Sequence, residues 1–466
     1  MVIKHQDLEI SEESPFKNCK LGRKNQASVL SKVVNSYKNG FVLAINNQWG
    51  TGKTTFVKMW RQNLVNEGHK TVYFNAWEND FEASPLVAIL SELKPFAKDS
   101  AVFKGLLSKG AAIAKAIIPT VIKGAADKYI NVDLIDSALE KAAEIGADFL
   151  QKRVEEYTSH KKGLKEFKDA LQLYIEKIGN DKPLVLIIDE LDRCRPNYAV
   201  EVLEHIKHFF SVRGIVFVLS IDKEQLGHAV RGAYGSDRIN SEDYLRRFID
   251  IEYSLPTPES DAYCKYLYHY FEFDEFLGSA ERVKYSEFTN DKEYFLKFSA
   301  ILFDRSKLTL RQQEKIFAHT RLVLKSFGPQ NYIFSTLLVL LVYLRDFKRE
   351  LYDSIVSKSL DVYDINDKFY YVVPKDIPDE DIRFFLYTEA QLVNLYSNYA
   401  DRLGKRALFT TKGDSKICNV KSKMDKTSEN TVFISMLESA VQHRDWSTTS
   451  LDYLLKKINL FEDINV

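Results

Sequence analysis

The stretch FVLAINNQWGTGKTT, residues 41–55, decides how the rest of the chain is read. Phe41 to Ile45 is an unbroken apolar run suited to a strand buried on both faces. Glycines follow at once, and a helix rich in Lys and Arg comes after them. A nucleoside triphosphate needs backbone N–H groups turned inward onto its phosphates, and glycine lets a chain wrap that closely before a helix N-terminus adds its positive end. Gly50-Thr51-Gly52-Lys53-Thr54 meets that need. Lys53 is expected to reach the β- and γ-phosphates, Thr54 to bind magnesium and Thr55 to touch the α-phosphate, with Asn47, Gln48 and Trp49 completing the loop. The usual pattern is G-x-x-x-x-G-K-[ST], and Asn47 stands where its first glycine belongs. Asparagine tolerates a left-handed backbone better than most residues, so the loop is still expected to form.

Magnesium also calls for a carboxylate at the end of a neighbouring buried strand. PLVLIIDELD, residues 183–192, supplies Asp189, and Glu190 beside it can polarise water for attack on the γ-phosphate. Further apolar runs are TVYFNAW at 71–77, GIVFVLSID at 214–222 and RFIDIEYSLPTP at 247–258. Continuous apolar strands alternating with helices predict an α/β fold over residues 20–258, a parallel sheet covered by helices on both faces. No N-K-x-D stretch is present to read guanine, so ATP is favoured over GTP. GIVFVLSID is expected to lie between the loop strand and the carboxylate strand, which fits the ATP-hydrolysing branch better than nucleotide kinases. Ser220 or Asp222 then falls near the γ-phosphate as a polar sensor, and Asp222 reads equally well as the N-cap of the helix starting at KEQLGHAV.

The 466 residues exceed what one hydrophobic core serves, so two or three domains are expected. Lys+Arg at 65 against Asp+Glu at 65 leaves no chain-wide field toward nucleic acid or acidic lipid. Cys19, Cys194, Cys264 and Cys418 form no C-x-x-C pair, which argues against a zinc site or disulfide framework and fits a reducing cytoplasm. The first twenty residues lack the apolar core of a secretory signal. NYIFSTLLVLLVYL at 331–344 is shorter than the roughly 20 residues a bilayer needs and reads as a buried helix. Residues 1–40 hold an amphipathic helix with Val29, Leu30, Val33, Val34 and Tyr37 at helical spacing. A helical insertion is expected at about 95–180, with an apolar stripe from Leu134 to Val154. Beyond Pro258 the pattern turns helical: a lid-like domain over 259–358 and a mainly helical region over 359–466. Within the latter, 359–381 reads as a linker or extended insertion, and the basic 402–426 as an exposed loop or hairpin.

QWGTGKTT, VYFNAW, LIIDELDRC, the VLSID strand and YLRRFIDIEYSLP together resemble the KAP family of P-loop NTPases, over about residues 20–258. The resemblance implies the roles of Asp189 and Glu190 given above, with Asp192 and Arg193 continuing a D-[DE]-L-D-R signature. Leu21-Gly22-Arg23 is similar to a segment that precedes the loop in related NTPases, which implies that Gly22 and Arg23 lie by the adenine. Arg246 or Arg247 is implied as an arginine finger on a neighbouring subunit's γ-phosphate, with a solvated helix face as the plain alternative. Arg311 opens a helix similar to the lid helix that carries a second sensor arginine. Trp77 reads as a packing residue. Many members carry transmembrane helices where this chain has its insertion. Here residues 102–126 are interrupted by Lys104, Lys109, Lys115, Lys123 and Pro119, so the segment cannot span; its apolar face is expected to pack within the protein or to touch a membrane surface.

The function expected is an ATPase, with ATP and Mg2+ as its cofactors, acting as a nucleotide-dependent switch on self-association or on a protein partner. The family resemblance adds a role in bacterial phage defence. Two rivals stand beside it: a scaffold that binds ATP with negligible hydrolysis, and a nucleic-acid-stimulated ATPase supported only by the basic stretch 402–426.

Overall fold

The computed structural model describes residues 8–37, 39–82, 84–97, 100–116, 139–178, 181–209, 212–400, 408–412 and 415–459. The chain divides into two compact units, Asp7–Pro256 and a second built on Thr257–Val466. In the first unit the elements run α1 Lys24–Ser36, β1 Phe41–Asn46, α2 Lys53–Asn66, β2 Thr71–Asn75, α3 Pro85–Leu93, α4 Ser100–Ala116, α5 Leu139–Ile178, β3 Leu184–Asp189, α6 Pro196–Phe209, β4 Ile215–Ile221, α7 Lys223–Tyr234, α8 Ser241–Leu245 and β5 Ile251–Tyr253.

The five strands pair in parallel in the order β2-β3-β4-β1-β5. Strand β4 thus lies between β1 and β3, as its sequence predicts. Both faces are buried, which is why these strands read as continuous apolar runs. Val42, Ala44, Leu186, Ile188, Phe217 and Leu219 point to one face, under α3 to α7. Leu43, Ile45, Val185, Ile187, Val216 and Val218 point to the other, under α1 and α2. At the entry to β1, Gly40 has φ +87, and a Cβ there would meet the Ile215 carbonyl oxygen at 2.3 Å, so only glycine fits.

Several local expectations change. Helix α1 buries Leu30 and Val34 but leaves Val29 and Tyr37 exposed, because the sheet covers a narrower stripe than the spacing allows. Strand β5 holds three residues, since Arg246 and Arg247 still belong to the turn after α8 and the chain leaves the sheet edge at Ser254. In the insertion, Phe103 and Leu106 of α4 are buried with Phe167 and Leu171 of α5. Residues 117–126, and Leu134 and Ala138 of the stripe, fall outside what the structure describes; the rest of the stripe lies on α5, where its last member, Val154, is exposed.

The second unit contains α9 Ser260–Tyr270, α10 Asp274–Leu277, α11 Asp291–Arg305, α12 Leu310–Leu324, α13 Ser335–Phe347, α14 Arg349–Val356, α15 Val362–Val372, α16 Ile382–Ala400, a hairpin of β6 Phe409–Lys412 and β7 Ser415–Cys418, then α17 Thr431–Gln442 and α18 Asp452–Ile458. Every residue of α13 from Ser335 to Leu344 is buried, so the most apolar stretch of the chain is the core of this unit. Residues 359–381 are not simply a linker: Asp361 caps α15 by accepting from the Asp364 amide at 2.7 Å, and Pro374 follows the helix end. Of the other acidic residues there, Asp367, Asp376 and Asp379 pair with Lys423, Arg305 and Lys426. Among the described residues no helix is long and apolar enough to cross a membrane.

Candidate functional site

The loop between β1 and α2 opens at the C-terminal edge of the sheet, where Gly50 (φ 77) and Gly52 (φ 80) take the left-handed conformation. Gly52 is the N-cap of α2 and offers no side chain, so the first-turn N–H groups of that helix remain open to an anion. The loop forms with Asn47 in place of the first glycine, and without a positive φ at that residue. Its side chain instead donates through Nδ2 to the Leu255 carbonyl at 3.0 Å and accepts from the Leu255 amide at 2.7 Å, tying the loop to the segment after β5. A glycine could not do this. Thr54 is half-buried and Thr55 exposed in the first turn of α2.

Lys53 is buried, and its Nζ donates to the carbonyls of Asn47 (2.5 Å) and Gln48 (3.1 Å). Thr51 Oγ1 donates to the same Gln48 carbonyl at 2.8 Å. Burial lowers the Lys53 pKa, while Asp192, Asp222 and Asp189 act in the opposite direction and favour the ammonium. Arg23 is buried and donates to the carbonyls of Thr51 (2.7 Å) and Gly52 (3.1 Å). Its guanidinium is thereby committed to bracing the loop, a different task from the adenine contact implied for it. Gly22 beside it has φ 65.

The register of the sheet sets the carboxylate against the loop. Asp189 pairs with Ser220 on β4, and Ser220 pairs with Ile45 on β1, so one strand separates them, roughly 10 Å in all. Asp189 is buried at the end of β3 and accepts from Tyr73 Oη at 2.9 Å and from the Glu190 amide at 3.0 Å. Burial and the carboxylates of Asp189 and Glu190 push the Tyr73 phenol up, so it stays a donor. Glu190 has φ 59, a backbone conformation that costs a non-glycine residue about 1–2 kcal/mol. Its carboxylate meets Arg193 NH1 at 2.8 Å and Asn75 Nδ2 at 3.4 Å. Burial raises the Glu190 pKa, Arg193 opposes that, and Asp189 adds to it. Ser220 Oγ is buried with no hydrogen-bond partner among the described residues.

Asp222 uses both oxygens on the protein. One accepts from the Gln225 amide at 3.3 Å as the N-cap of α7, and the other from the Trp49 amide at 3.2 Å. The N-cap reading of Asp222 therefore holds, and the same carboxylate also anchors the loop. Reasoning from sequence missed a second network: Trp49 Nε1 donates to Asp192, and the Arg193 guanidinium lies 6.0 Å from the Trp49 ring and 5.7 Å from the Trp77 ring. Trp77 is half-exposed, not a packing residue, because β2 ends two residues before it. Only the two tryptophans and the D-[DE]-L-D-R string hinted at this group, and nothing in their spacing joins them.

Arg246 and Arg247 make no hydrogen bond or ion pair with that cluster among the described residues. Arg246 is exposed and pairs with Glu242 (2.9 Å) and Asp243 (3.2 Å) of its own helix. Arg247 is exposed and, among the described residues, makes no hydrogen bond or ion pair with the loop. Arg311 is exposed in the first turn of α12, in the second unit. For magnesium, Asp189 and Thr54 supply one carboxylate and one hydroxyl, which suits an ion that keeps water and phosphate oxygens as its other ligands.

A parallel sheet, a glycine loop leading into a helix, and a buried carboxylate one strand away define a P-loop NTPase. The chain belongs to the KAP family: residues 23–352 match the KAP family P-loop domain. It is similar to the phage T7 exclusion protein of Escherichia coli (strain K12), with 23% identity over 234 residues, 47% of this chain and 30% of the relative's length. Among solved structures it resembles the Aeropyrum pernix ORC2 protein in its ADPNP-ADP complexes (14% identity, 90% of this chain and 94% of that one, TM-score 0.34). It also resembles Drosophila ORC bound to DNA (12% identity, 97% of each chain, TM-score 0.33).

Proposed function

We propose that the chain binds ATP with magnesium and hydrolyses it, using the nucleotide state to control self-association or a protein partner in the cytoplasm, in the service of defence against phage. The observation that carries the nucleotide reading is Lys53: a buried ammonium held on two loop carbonyls in the field of Asp189, Asp192 and Asp222. In this reading Lys53 and the α2 N-terminus take the phosphate charge, and Thr54 and Asp189 would hold magnesium, which would supply further positive charge to the phosphates. Glu190 orients and deprotonates the attacking water, and Arg247, Arg246 or Arg311 supplies positive charge from outside the loop. The defence role rests on the family and on the name of its Escherichia coli relative.

A second reading, a scaffold that holds ATP with negligible turnover, draws support from the Arg193 and Asn75 contacts that already occupy the Glu190 carboxylate. Phosphate release and nucleotide retention, measured for wild type, Lys53→Ala and Glu190→Gln, separate the two. Hydrolysis predicts turnover in wild type, loss of binding in Lys53→Ala, and retained binding with a drop of roughly a hundredfold or more in Glu190→Gln. Wild-type turnover no faster than that of Glu190→Gln would leave the scaffold.

A further inference from the structure

In the second unit three distant segments close around a cavity of about 410 Å³, within the size range of ligand pockets. Tyr285, Phe288, Tyr332 and Tyr453 give it aromatic walls, and Glu287 and Asp445 stand at its rim. The rings are set edge to face: Phe288 lies 5.1 Å from Tyr332 at 75°, and Trp446 backs Tyr332 at 5.7 Å and 86°. Both carboxylates face the Tyr332 hydroxyl; burial, Glu287 and Asp445 together push that phenol up to about 12. One O–H cannot satisfy two carboxylates, so acceptor capacity and negative charge are left over at the mouth. Of two cations beside the pocket rings, Arg282 is neutralised by the Asp291 carboxylate, and Lys457, 5.5 Å from the Tyr453 ring, is held on the Ser326 backbone carbonyl at 2.5 Å.

The same residues show which cation suits them. The buried Arg282 guanidinium sits 4.0 Å from the Phe288 ring, so this aromatic group already accepts a planar cation within the fold. A guanidinium stacks on rings and gives N–H donors in a fork that matches two carboxylates, whereas a quaternary ammonium offers no N–H at all. We propose that this pocket docks the arginine side chain of a partner protein, with the aromatic walls taking its planar face and Glu287 and Asp445 accepting its N–H groups. The open mouth at the protein surface suits a side chain presented on another polypeptide.

Calorimetric titration of the full chain tests this with the capped tripeptide Gly-Arg-Gly and its counterpart in which citrulline, neutral and nearly isosteric, replaces arginine. The arginine peptide is expected to bind saturably at roughly millimolar affinity or tighter, and the citrulline peptide about tenfold or more weakly. Glu287→Gln combined with Asp445→Asn should remove that preference. Both positions are exposed, so the urea midpoint of this variant should match wild type and certify its fold. Equal binding of the two peptides, no saturable binding, or an unchanged preference in the double variant would overturn the site. Tighter binding of a trimethyllysine peptide would overturn the guanidinium assignment, and tighter binding of free arginine the assignment to a polypeptide.

Discussion

Arg193 links three parts of the site that are remote in sequence: the loop through Trp49, the turn after β2 through Trp77, and the general-base candidate Glu190. Its effect on Glu190 has a definite sign. Burial raises the Glu190 pKa and Arg193 is the leading influence against that rise. Replacing Arg193 with Gln should raise the pKa further and protonate the base at a higher pH. The acid limb of kcat against pH is therefore expected to move upward in Arg193→Gln, with nucleotide affinity little changed. An acid limb that stays in place would mean that another group sets it. Lys53, Gly50 and Gly52 were legible in the sequence because the chemistry of a phosphate loop is local. The task of Asn47 was not, because its partner Leu255 lies 208 residues further on.

At the scale of elements, β4 was legible as an inserted strand because a strand buried on both faces shows as an unbroken apolar run. Helix α16 was less so, since it carries Thr388, Glu389, Gln391, Asn394 and Ser397 into the interior. Glu389 is fully buried and accepts from Ser422 Oγ; burial is the main influence raising its pKa to about 8, with Asp425 and Asp367 adding to it. Between the ordinary 4.5 and that value the folded chain keeps a proton that the unfolded chain releases. Unfolding free energy should then fall as pH rises through this window, by up to about 1.4 kcal/mol per pH unit from this one group. Below 4.5 both states hold the proton and the contribution is constant. Urea midpoints across that window should show the fall in wild type and a flatter profile in Glu389→Gln; parallel profiles would exclude Glu389 as its source.

For the whole molecule, the self-association form of the proposed switch requires that one copy act on another. Arg247 is exposed at the end of the NTPase unit and keeps no partner in the phosphate loop of its own chain, as a residue serving a neighbouring site requires. If it serves that role, Arg247→Ala should bind ATP normally and lose roughly a thousandfold in turnover. Mixing it with Lys53→Ala, which keeps the arginine and loses the nucleotide, should restore part of the activity. Mass measurement with and without ATP and magnesium should show the assembly on which that rescue depends. Failure of rescue in an assembly that still forms would leave Arg247 as a solvated charge.

The sequence by itself determined the α/β class, the phosphate loop, Asp189 at the end of a buried strand and the family, because each is carried by short motifs, or by a succession of them, whose signal is local along the chain. Tertiary structure alone decided that Asn47 ties the loop to Leu255, that Arg23 braces the loop from behind, that Arg193 sits with two tryptophans, and that aromatic rings and two carboxylates from three segments share one pocket. Those pairings join positions from 28 to more than a hundred residues apart. They follow from how the sheet and helices pack, and local spacing carries no record of them.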